Sequence, residues 1–241
     1  MQLLYQLALI FGAVVNLLMA ALLSRRNKDY RPYPNYLRAR RFMELWVTVF
    51  AIGYLVHAFV RLRYFWPTAA AALTVSYFHL GAICFCWGFI PLLKPEYLTR
   101  KILIRDTLIY VAGLVCYWGT AFITRETSLL TRLPYLIFFG FCAYNAVVFY
   151  KIYDQVTFRL IVMAHGDVTD FVRWLQASCD IIIFFGIFLV AVMITFPNAT
   201  SYLVPVETIM GTFLFGYIVH CVSRYGRTIA AATKATEDVN C

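Results

Sequence analysis

The chain has 241 residues, of which 62% are hydrophobic and 14% are charged, with a formal net charge of +9 and a mean hydropathy of +0.73. Soluble globular domains contain about 45–50% apolar and about 25% charged residues, so this composition predicts that the chain is embedded in lipid. The basic residues lie between long apolar runs, a placement that membrane topology explains without any role in binding nucleic acid. We therefore expect the lipid bilayer to be the main partner and expect no direct contact with nucleic acid.

Seven apolar runs follow one another along the chain, and each approaches the roughly 20 residues that a transmembrane helix needs. They cover residues 2–23, 42–60, 68–93, 107–123, 133–150, 175–196 and 208–222. No basic segment precedes the first run, and Arg25 and Arg26 follow it, which predicts a membrane span and not a cleaved signal peptide. The predicted fold is an all-α polytopic membrane protein, with seven transmembrane helices in residues 1–223 and a short cytoplasmic tail in residues 224–241.

The charges of the loops predict how the helices are oriented. If the seven runs alternate in direction, seventeen of the 21 Lys and Arg residues fall on one side of the membrane. The other side holds Arg61, Arg63, Arg125 and Arg132. Short loops rich in Lys and Arg stay in the cytoplasm, so we expect the N-terminus outside and the C-terminus inside. This predicts a multi-pass protein of the cell membrane, which is the inner membrane in a Gram-negative bacterium.

Two connections carry local signals. Pro197 and Pro205 flank the start of the last apolar run, and proline is best tolerated outside helix interiors, so an outside loop is expected from Pro197 to Glu207. Asp167 and Asp170 precede the run 175–196, where acidic side chains favour the N-terminus of a helix. The helix of that run is therefore expected to begin before the membrane and to project into the cytoplasm.

Polar side chains inside the apolar runs are candidate functional residues, because lipid does not solvate them. Five of them lie at a similar depth near the predicted cytoplasmic side: Asn16, Glu44, Asn145, Asp180 and His220. They predict either one shared inner polar layer, with His220 as the partner of Asp180, or five residues that are each satisfied by their own surroundings.

A second candidate site lies in the outer third of the predicted bundle and consists of Tyr54, His57, Arg61 and Tyr77. These residues predict either a pocket that opens outward or part of the aromatic belt that membrane proteins place at the interface. His79 lies near the middle of its run, and a pair with His57 is one candidate for a metal or haem site. The two histidines differ in height, so interior histidines satisfied by their surroundings are the alternative.

Other chemical signals are weak. Seven cysteines are present, six of them within the apolar runs, and Cys84 and Cys86 do not have zinc-ligand spacing, so we expect neither a metal site nor a disulfide there. The chain has no nucleophile-elbow sequence, no H-E-x-x-H motif and no phosphate-binding loop, and the last run contains no lysine for a retinal Schiff base. We predict no cofactor and no catalytic residues.

Several segments resemble the membrane-embedded region of Bacteroidetes signalling proteins, namely sensor histidine kinases and AraC-type regulators. The segments are Leu92–Leu98, the sequence GDVTDFVRWLQ at 166–176, Phe196-Pro197, and Cys221–Tyr225 at the end of the last run. The resemblance implies a seven-helix sensor region. In that family the last helix leads into a cytoplasmic output domain, which we expect this chain to lack.

The predicted function is that of a membrane-embedded sensory or signal-transducing module that passes a stimulus to a cytoplasmic partner, such as a kinase or regulator, either as a single chain or as a homo-oligomer. One alternative is a small-solute transporter in which helices one to three and five to seven form a repeat around a linker helix. A second alternative is a membrane enzyme that acts on lipid.

Overall fold

The computed structural model describes residues 2–25, 30–124, 132–164, 170–195 and 200–239. Eight α-helices account for most of these residues. They are α1 (Gln2–Ser24), α2 (Pro34–Val60), α3 (Leu62–Phe65), α4 (Pro67–Leu93), α5 (Arg100–Ile123), α6 (Tyr135–Ala164), α7 (Asp170–Thr195) and α8 (Thr200–Val239). A single 3₁₀ turn, Pro95–Tyr97, joins α4 to α5. The described part of the chain contains no strand, which confirms the all-α prediction.

Six helices are long and apolar enough to cross a membrane: α1, α2, α4, α5, α6 and α8. This is the arrangement of a multi-pass membrane protein. Each of the six contains one of the predicted apolar runs, and α7 contains the remaining one. The six described cysteines are unpaired thiols, and Cys241 lies outside the described residues.

Local sequence explains where several helices begin and end. Pro34 and Pro67 occupy first-turn positions of α2 and α4, where a missing backbone N–H costs nothing. Thr99 caps α5, because its hydroxyl accepts a hydrogen bond from the backbone N–H of Ile102. Arg61 ends α2 in the left-handed conformation, with φ of 54°, and α3 starts at the next residue.

Consecutive long helices run in opposite directions. At the end of the bundle that carries α3, here called the α3 end, hydrogen bonds join Gln6 to Ala58, Trp66 to Ala121, and Thr68 to Thr124. At the opposite end, contacts join Arg40 to Leu22, Trp87 to Asp106, and Trp174 to Tyr225. The start of one helix therefore lies beside the end of the next, as an up-and-down bundle requires.

Helix α4 is the centre of this bundle and α5 is at its edge. Of the most apolar stretch of α4, 83% is buried, against 22% for α5. Helix α4 packs against α2, α5, α6 and α7, while α8 closes the ring by packing against α1, α2 and α7. The predicted neighbourhood of the last two long helices is thus confirmed.

Glycines opposite aromatic rings determine how closely the helices approach. A methyl group at Gly81 of α4 would lie 2.8 Å from Cδ1 of Trp46 on α2, and one at Gly53 of α2 would lie 2.7 Å from Cδ1 of Tyr77 on α4. The same holds for Gly211 on α8, where a methyl group would lie 2.7 Å from Cζ of Phe185 on α7. Small residues at helix interfaces allow close backbone approach, which favours packing inside a membrane.

The last helix differs most from the sequence-based expectation. Residues 200–207 belong to α8, so the predicted loop from Pro197 to Glu207 is wrong for those residues, and Pro205 lies inside the helix. Residues 197–199 lie outside the described residues. The helix also continues through Arg224 to Val239, because the polar sequence after the apolar run keeps helix-forming residues. Apolar runs locate the part of a helix that lipid can surround, and they do not locate its ends.

We predict that Gly81→Ala lowers the free energy of unfolding by about 1–3 kcal/mol, because the added methyl group overlaps the indole of Trp46. Gly140→Ala on α6 is the matched control, since its methyl group would have no neighbouring atom within 4 Å. The control is expected to stabilise by about 0.5–1 kcal/mol, as Ala is the better helix former. Reversible unfolding of the purified protein in mixed detergent measures both changes. Equal effects of the two substitutions would contradict close packing at Gly81.

Candidate functional site

A small polar cavity lies inside the bundle at the α3 end and is the best candidate site. It lies between α1, α2, α3, α4 and α8. Its lining residues are Leu9, Tyr54, His57, Arg63, Thr74, Tyr77, Phe78, Val204, Glu207 and Thr208. The centre of a water molecule can move through about 10 Å³ of it, which is roughly the space that one water molecule requires. We call it the α3-end cavity.

Two ionisable side chains of opposite charge line the α3-end cavity. Glu207, from the second turn of α8, is 6% exposed. Arg63 of α3 is half-buried, and Nε of its guanidinium is a buried donor without an acceptor among the described residues. A carboxylate away from water is costly unless a cation or hydrogen-bond donors compensate it, so Arg63 is the electrostatic counterpart that the structure offers Glu207.

The hydrogen bonds of His57 determine which of its ring nitrogens carries the proton. Nε2 lies 3.1 Å from the Thr74 hydroxyl oxygen. The single hydroxyl proton of Thr74 is donated to the backbone carbonyl of Ala70, at 2.8 Å. Thr74 can therefore only accept from His57, so Nε2 carries the proton in a neutral ring. Nδ1 is left as a buried acceptor with no donor among the described side chains.

Aromatic rings separate the cavity from the rest of the core. Tyr54 and Tyr77 contribute to its wall, with ring centroids 6.2 Å apart. Below them Phe50 is the centre of an aromatic cluster and is 0% exposed. Rings within 4.8–6.1 Å of the Phe50 centroid belong to Trp46, Tyr54, Tyr77, Phe78 and Phe215. Such edge-to-face arrays are well packed, so the cavity is polar on one side and bounded by a dense apolar layer on the other.

The structure brings together three of the four residues of the predicted outer pocket. Tyr54, His57 and Tyr77 all line the α3-end cavity, whereas Arg61 is exposed at the end of α2. Arg63 lines the cavity where Arg61 was predicted, because the one-turn helix α3 carries it there. Sequence reasoning missed Arg63 by treating residues 61–67 as a loop. It missed Glu207 by placing that residue before the last helix.

The two asparagines of the predicted inner layer are buried but satisfied within their own helices. Asn16 donates from Nδ2 to the Gly12 carbonyl at 2.7 Å, and Asn145 donates to the Phe141 carbonyl at 2.9 Å. In both, the side-chain oxygen is buried without a donor among the described residues.

The other three residues of the predicted layer lie on different surfaces. Asp180 is exposed and accepts a hydrogen bond from the Tyr150 hydroxyl of α6, in place of the predicted partner His220. His220 is exposed in a groove beside Trp174. Glu44 is half-buried on α2. The five residues share a depth, but the described contacts do not join them into one cluster.

His79 is held by its aromatic neighbours. It is 0% exposed, and Nδ1 lies 3.1 Å from the Tyr117 hydroxyl. The rings of Tyr110, Tyr117, Phe138 and Phe141 surround it at centroid distances of 4.8–6.2 Å. Among the described residues no three His, Cys, Asp or Glu side chains are grouped as metal ligands. His79 and His57 are thus fixed separately, each by one hydroxyl group.

A buried carboxylate near the opposite end was not predicted from the sequence. Asp106 of α5 is 0% exposed and accepts hydrogen bonds from Trp87 Nε1 and Arg105 Nε, both at 2.9 Å. Arg105 also donates to the Tyr144 hydroxyl at 2.8 Å. Burial raises the pKa of the neighbouring Tyr97 to about 12, so its phenol stays protonated beside this ion pair. Because every contact links helices, we assign the cluster to stability.

The site has no counterpart in proteins of known function or structure that would assign it a role. No protein-family model, no curated protein and no solved structure matches the chain.

We predict that Thr74→Val lowers the free energy of unfolding by about 1–3 kcal/mol, because the Nε2 proton of His57 loses its acceptor in a buried site. Thr212→Val is the matched control. Thr212 is also buried, and its hydroxyl donates to the carbonyl four residues earlier at 2.7 Å, but no side chain uses it as an acceptor. Thermal unfolding of both variants tests the difference. A loss of stability for Thr212→Val as large as for Thr74→Val would contradict the assigned role of His57.

Proposed function

We propose that the protein is a membrane-embedded sensory or signal-transducing module, in which α8 carries a change at the α3-end cavity to a cytoplasmic partner. The observation that supports this proposal most directly is the course of α8. It contributes Glu207 and Thr208 to the cavity and continues as one helix to Val239. A single element therefore belongs both to the candidate site and to the opposite end of the molecule.

The length of α8 supports this role. Its 40 residues span about 60 Å at about 1.5 Å per residue, which is twice the roughly 30 Å of a bilayer's hydrocarbon core. Its apolar span ends at Ala231. A helix that begins at one membrane face must therefore extend well past the other face, where a soluble partner can reach it.

The proposal includes a seven-span topology with the N-terminus outside and the C-terminus in the cytoplasm. Helix α7 has 26 residues and lies between α6 and α8 while also contacting α4. That position favours α7 as the seventh span. The excess of Lys and Arg at the end opposite α3 favours a cytoplasmic location for that end. We place the protein in the cell membrane, which is the inner membrane if the host is Gram-negative.

A transducing element needs two arrangements of similar free energy, and the contacts of α8 near the cavity are suited to this. Pro205 lacks the backbone N–H that an α-helix uses at that position, so the first turns of α8 are less constrained than the rest. Two residues later Glu207 enters the cavity. A methyl group at Gly12 would lie 2.6 Å from Thr208, so α1 and α8 are in close contact there. Any rearrangement around Glu207 thus acts on the α1–α8 interface.

The resemblance to Bacteroidetes signalling proteins agrees with this direction of transfer, because in that family the last membrane helix leads to the cytoplasmic output. On that basis we propose a cytoplasmic kinase or regulator as the partner. The aromatic cluster around Phe50 favours a sensor over the transporter alternative, since a solute would need a path through tightly packed rings. Transport of a solute by the purified protein in liposomes would favour the alternative.

The topology is testable with reporter fusions. Fusions after Arg63, Arg132 and Asn198 are expected to report an outside location, and fusions after Arg31, Lys101, Arg159 and Lys234 a cytoplasmic one. The reason is that the seven spans alternate and the side rich in Lys and Arg stays inside. The fusion after Asn198 is the most informative, because it follows α7. A cytoplasmic signal from that fusion would contradict the seventh span.

The transfer of a change along α8 is testable by spin labelling. We predict that Glu207→Gln changes the distance between labels at positions 159 and 231 by about 1–5 Å, the range of helix shifts in known switches. Both positions are exposed and belong to α6 and α8. Pulsed electron resonance in nanodiscs, with the native cysteines replaced, measures this distance.

Glu44→Gln is the matched control for that experiment, because it removes one carboxylate from α2 outside the cavity. It is expected to leave the distance unchanged. Unchanged distances in the Glu207 variant, with the protein still folded, would argue against α8 as the transmitting element.

A further inference from the structure

A groove between α7 and α8, near the end opposite α3, is distinct from the cavity and unused by the proposed function. It has a volume of about 560 Å³ and is lined by Trp174 of α7 and by Tyr217, His220, Cys221, Arg224, Tyr225 and Thr228 of α8. A second, more open depression continues it along α8 and adds Arg227 and Ala231. We call the two together the α7–α8 groove. Its size is typical of sites that hold a small molecule.

The exposed face of α8 changes character along its length. Exposed residues follow one another at helical spacing, and the first part of this stripe is apolar: Val206, Ile209, Met210, Phe213 and Tyr217. The stripe continues with exposed polar and cationic residues: His220, Arg224, Arg227 and Thr228. Residues three or four apart lie on the same side of a helix, so the apolar and cationic parts form one continuous surface.

The dimensions of this stripe match one leaflet of a bilayer. Half of a hydrocarbon core is about 15 Å thick, which corresponds to about ten residues of helix. Ten residues before His220 is Met210, so an acyl chain beside α8 would cover the stripe from Tyr217 to Met210. Its head group would then lie beside Arg224 and Arg227.

The charges in the groove are suited to an anion. Among the side chains that the structure describes, neither Arg224 nor Arg227 forms a salt bridge with a carboxylate. The Thr228 hydroxyl donates to the Arg224 carbonyl at 3.1 Å, which leaves its oxygen beside the two guanidinium groups. Guanidinium groups bind phosphate through paired hydrogen bonds, so this part of the groove is complementary to a phosphate group.

The aromatic residues of the groove are of the kind found at the level of lipid head groups. Trp174 and Tyr225 pack with ring centroids 5.3 Å apart, and Tyr217 lies one helical turn before Cys221. Tryptophan and tyrosine concentrate at the membrane interface because one end of each ring is apolar and the other polar. The Trp174 indole N–H has no acceptor among the described residues, so the wall of the groove also contains an unsatisfied donor.

We propose that the α7–α8 groove is a binding site for one anionic phospholipid, whose phosphate group lies between Arg224 and Arg227 and whose acyl chain covers Phe213 and Met210. This inference does not depend on the proposed sensory function or on the direction of insertion. It needs only that α8 crosses a bilayer. Basic pockets between transmembrane helices are a known mode of anionic head-group recognition.

The test uses the full chain in detergent micelles, with native mass spectrometry of bound phosphatidylglycerol and phosphatidylcholine. The double substitution Arg224→Gln and Arg227→Gln is expected to weaken phosphatidylglycerol binding roughly 30-fold, since each basic residue near a lipid surface contributes a factor of about five. Phosphatidylcholine has no net charge, and its binding is expected to change little.

The matched control is Arg100→Gln with Lys101→Gln. It removes the same net charge from exposed positions at the same end of the bundle, but from α5. Wild-type affinity for phosphatidylglycerol in this control, together with the loss in the groove variant, would support the site. Equal losses in both variants would overturn it, because general charge attraction would then explain the binding. Displacement of the lipid by millimolar inorganic phosphate would also overturn it, by assigning the groove to free phosphate.

Discussion

The bundle depends on the close approach of aromatic rings to glycines on neighbouring helices. In lipid, helices gain little from burying apolar surface, because lipid tails are as apolar as the side chains, and packing has to supply the difference. Here Gly53, Gly81 and Gly211 each accept a ring edge from the helix opposite. The rings that fill these positions extend to the cluster around Phe50. The floor of the α3-end cavity is therefore fixed by the same contacts that hold the helices together.

The candidate site follows from this packing. Tyr77 presses against Gly53 on one side and lines the cavity on the other, so its ring cannot move without separating α2 from α4. Thr74, one turn earlier on α4, fixes the ring of His57. On the side of α8 no comparable ring wedge constrains Glu207, whose helix begins with a proline-containing turn. The cavity thus combines a rigid wall from α2 and α4 with a wall that has more freedom.

Much of the fold could be predicted from the sequence, because lipid requires long apolar runs and these are visible without a structure. Depth could also be estimated from the rise of a helix. The direction in which a side chain points around its helix axis was not considered, and this explains the inner residues. Asn16 faces the interior and Asp180 faces outward, although their depths are similar. Glu207 and Arg63 were missed for another reason, since helix ends depend on caps and tertiary contacts that hydropathy does not record.

The continuity of α8 has a mechanical consequence. From Thr208 to Val239 the helix extends about 46 Å at about 1.5 Å per residue, and a helix of this kind behaves as a nearly straight rod. If it pivots at the cavity, a tilt of about 5° displaces its far end by about 4 Å, while atoms within one turn of the pivot move by about 0.5 Å. Geometry alone thus provides nearly tenfold leverage. A rearrangement no larger than the exchange of one water molecule beside Glu207 is therefore enough to reposition the end of the rod by about the width of a side chain.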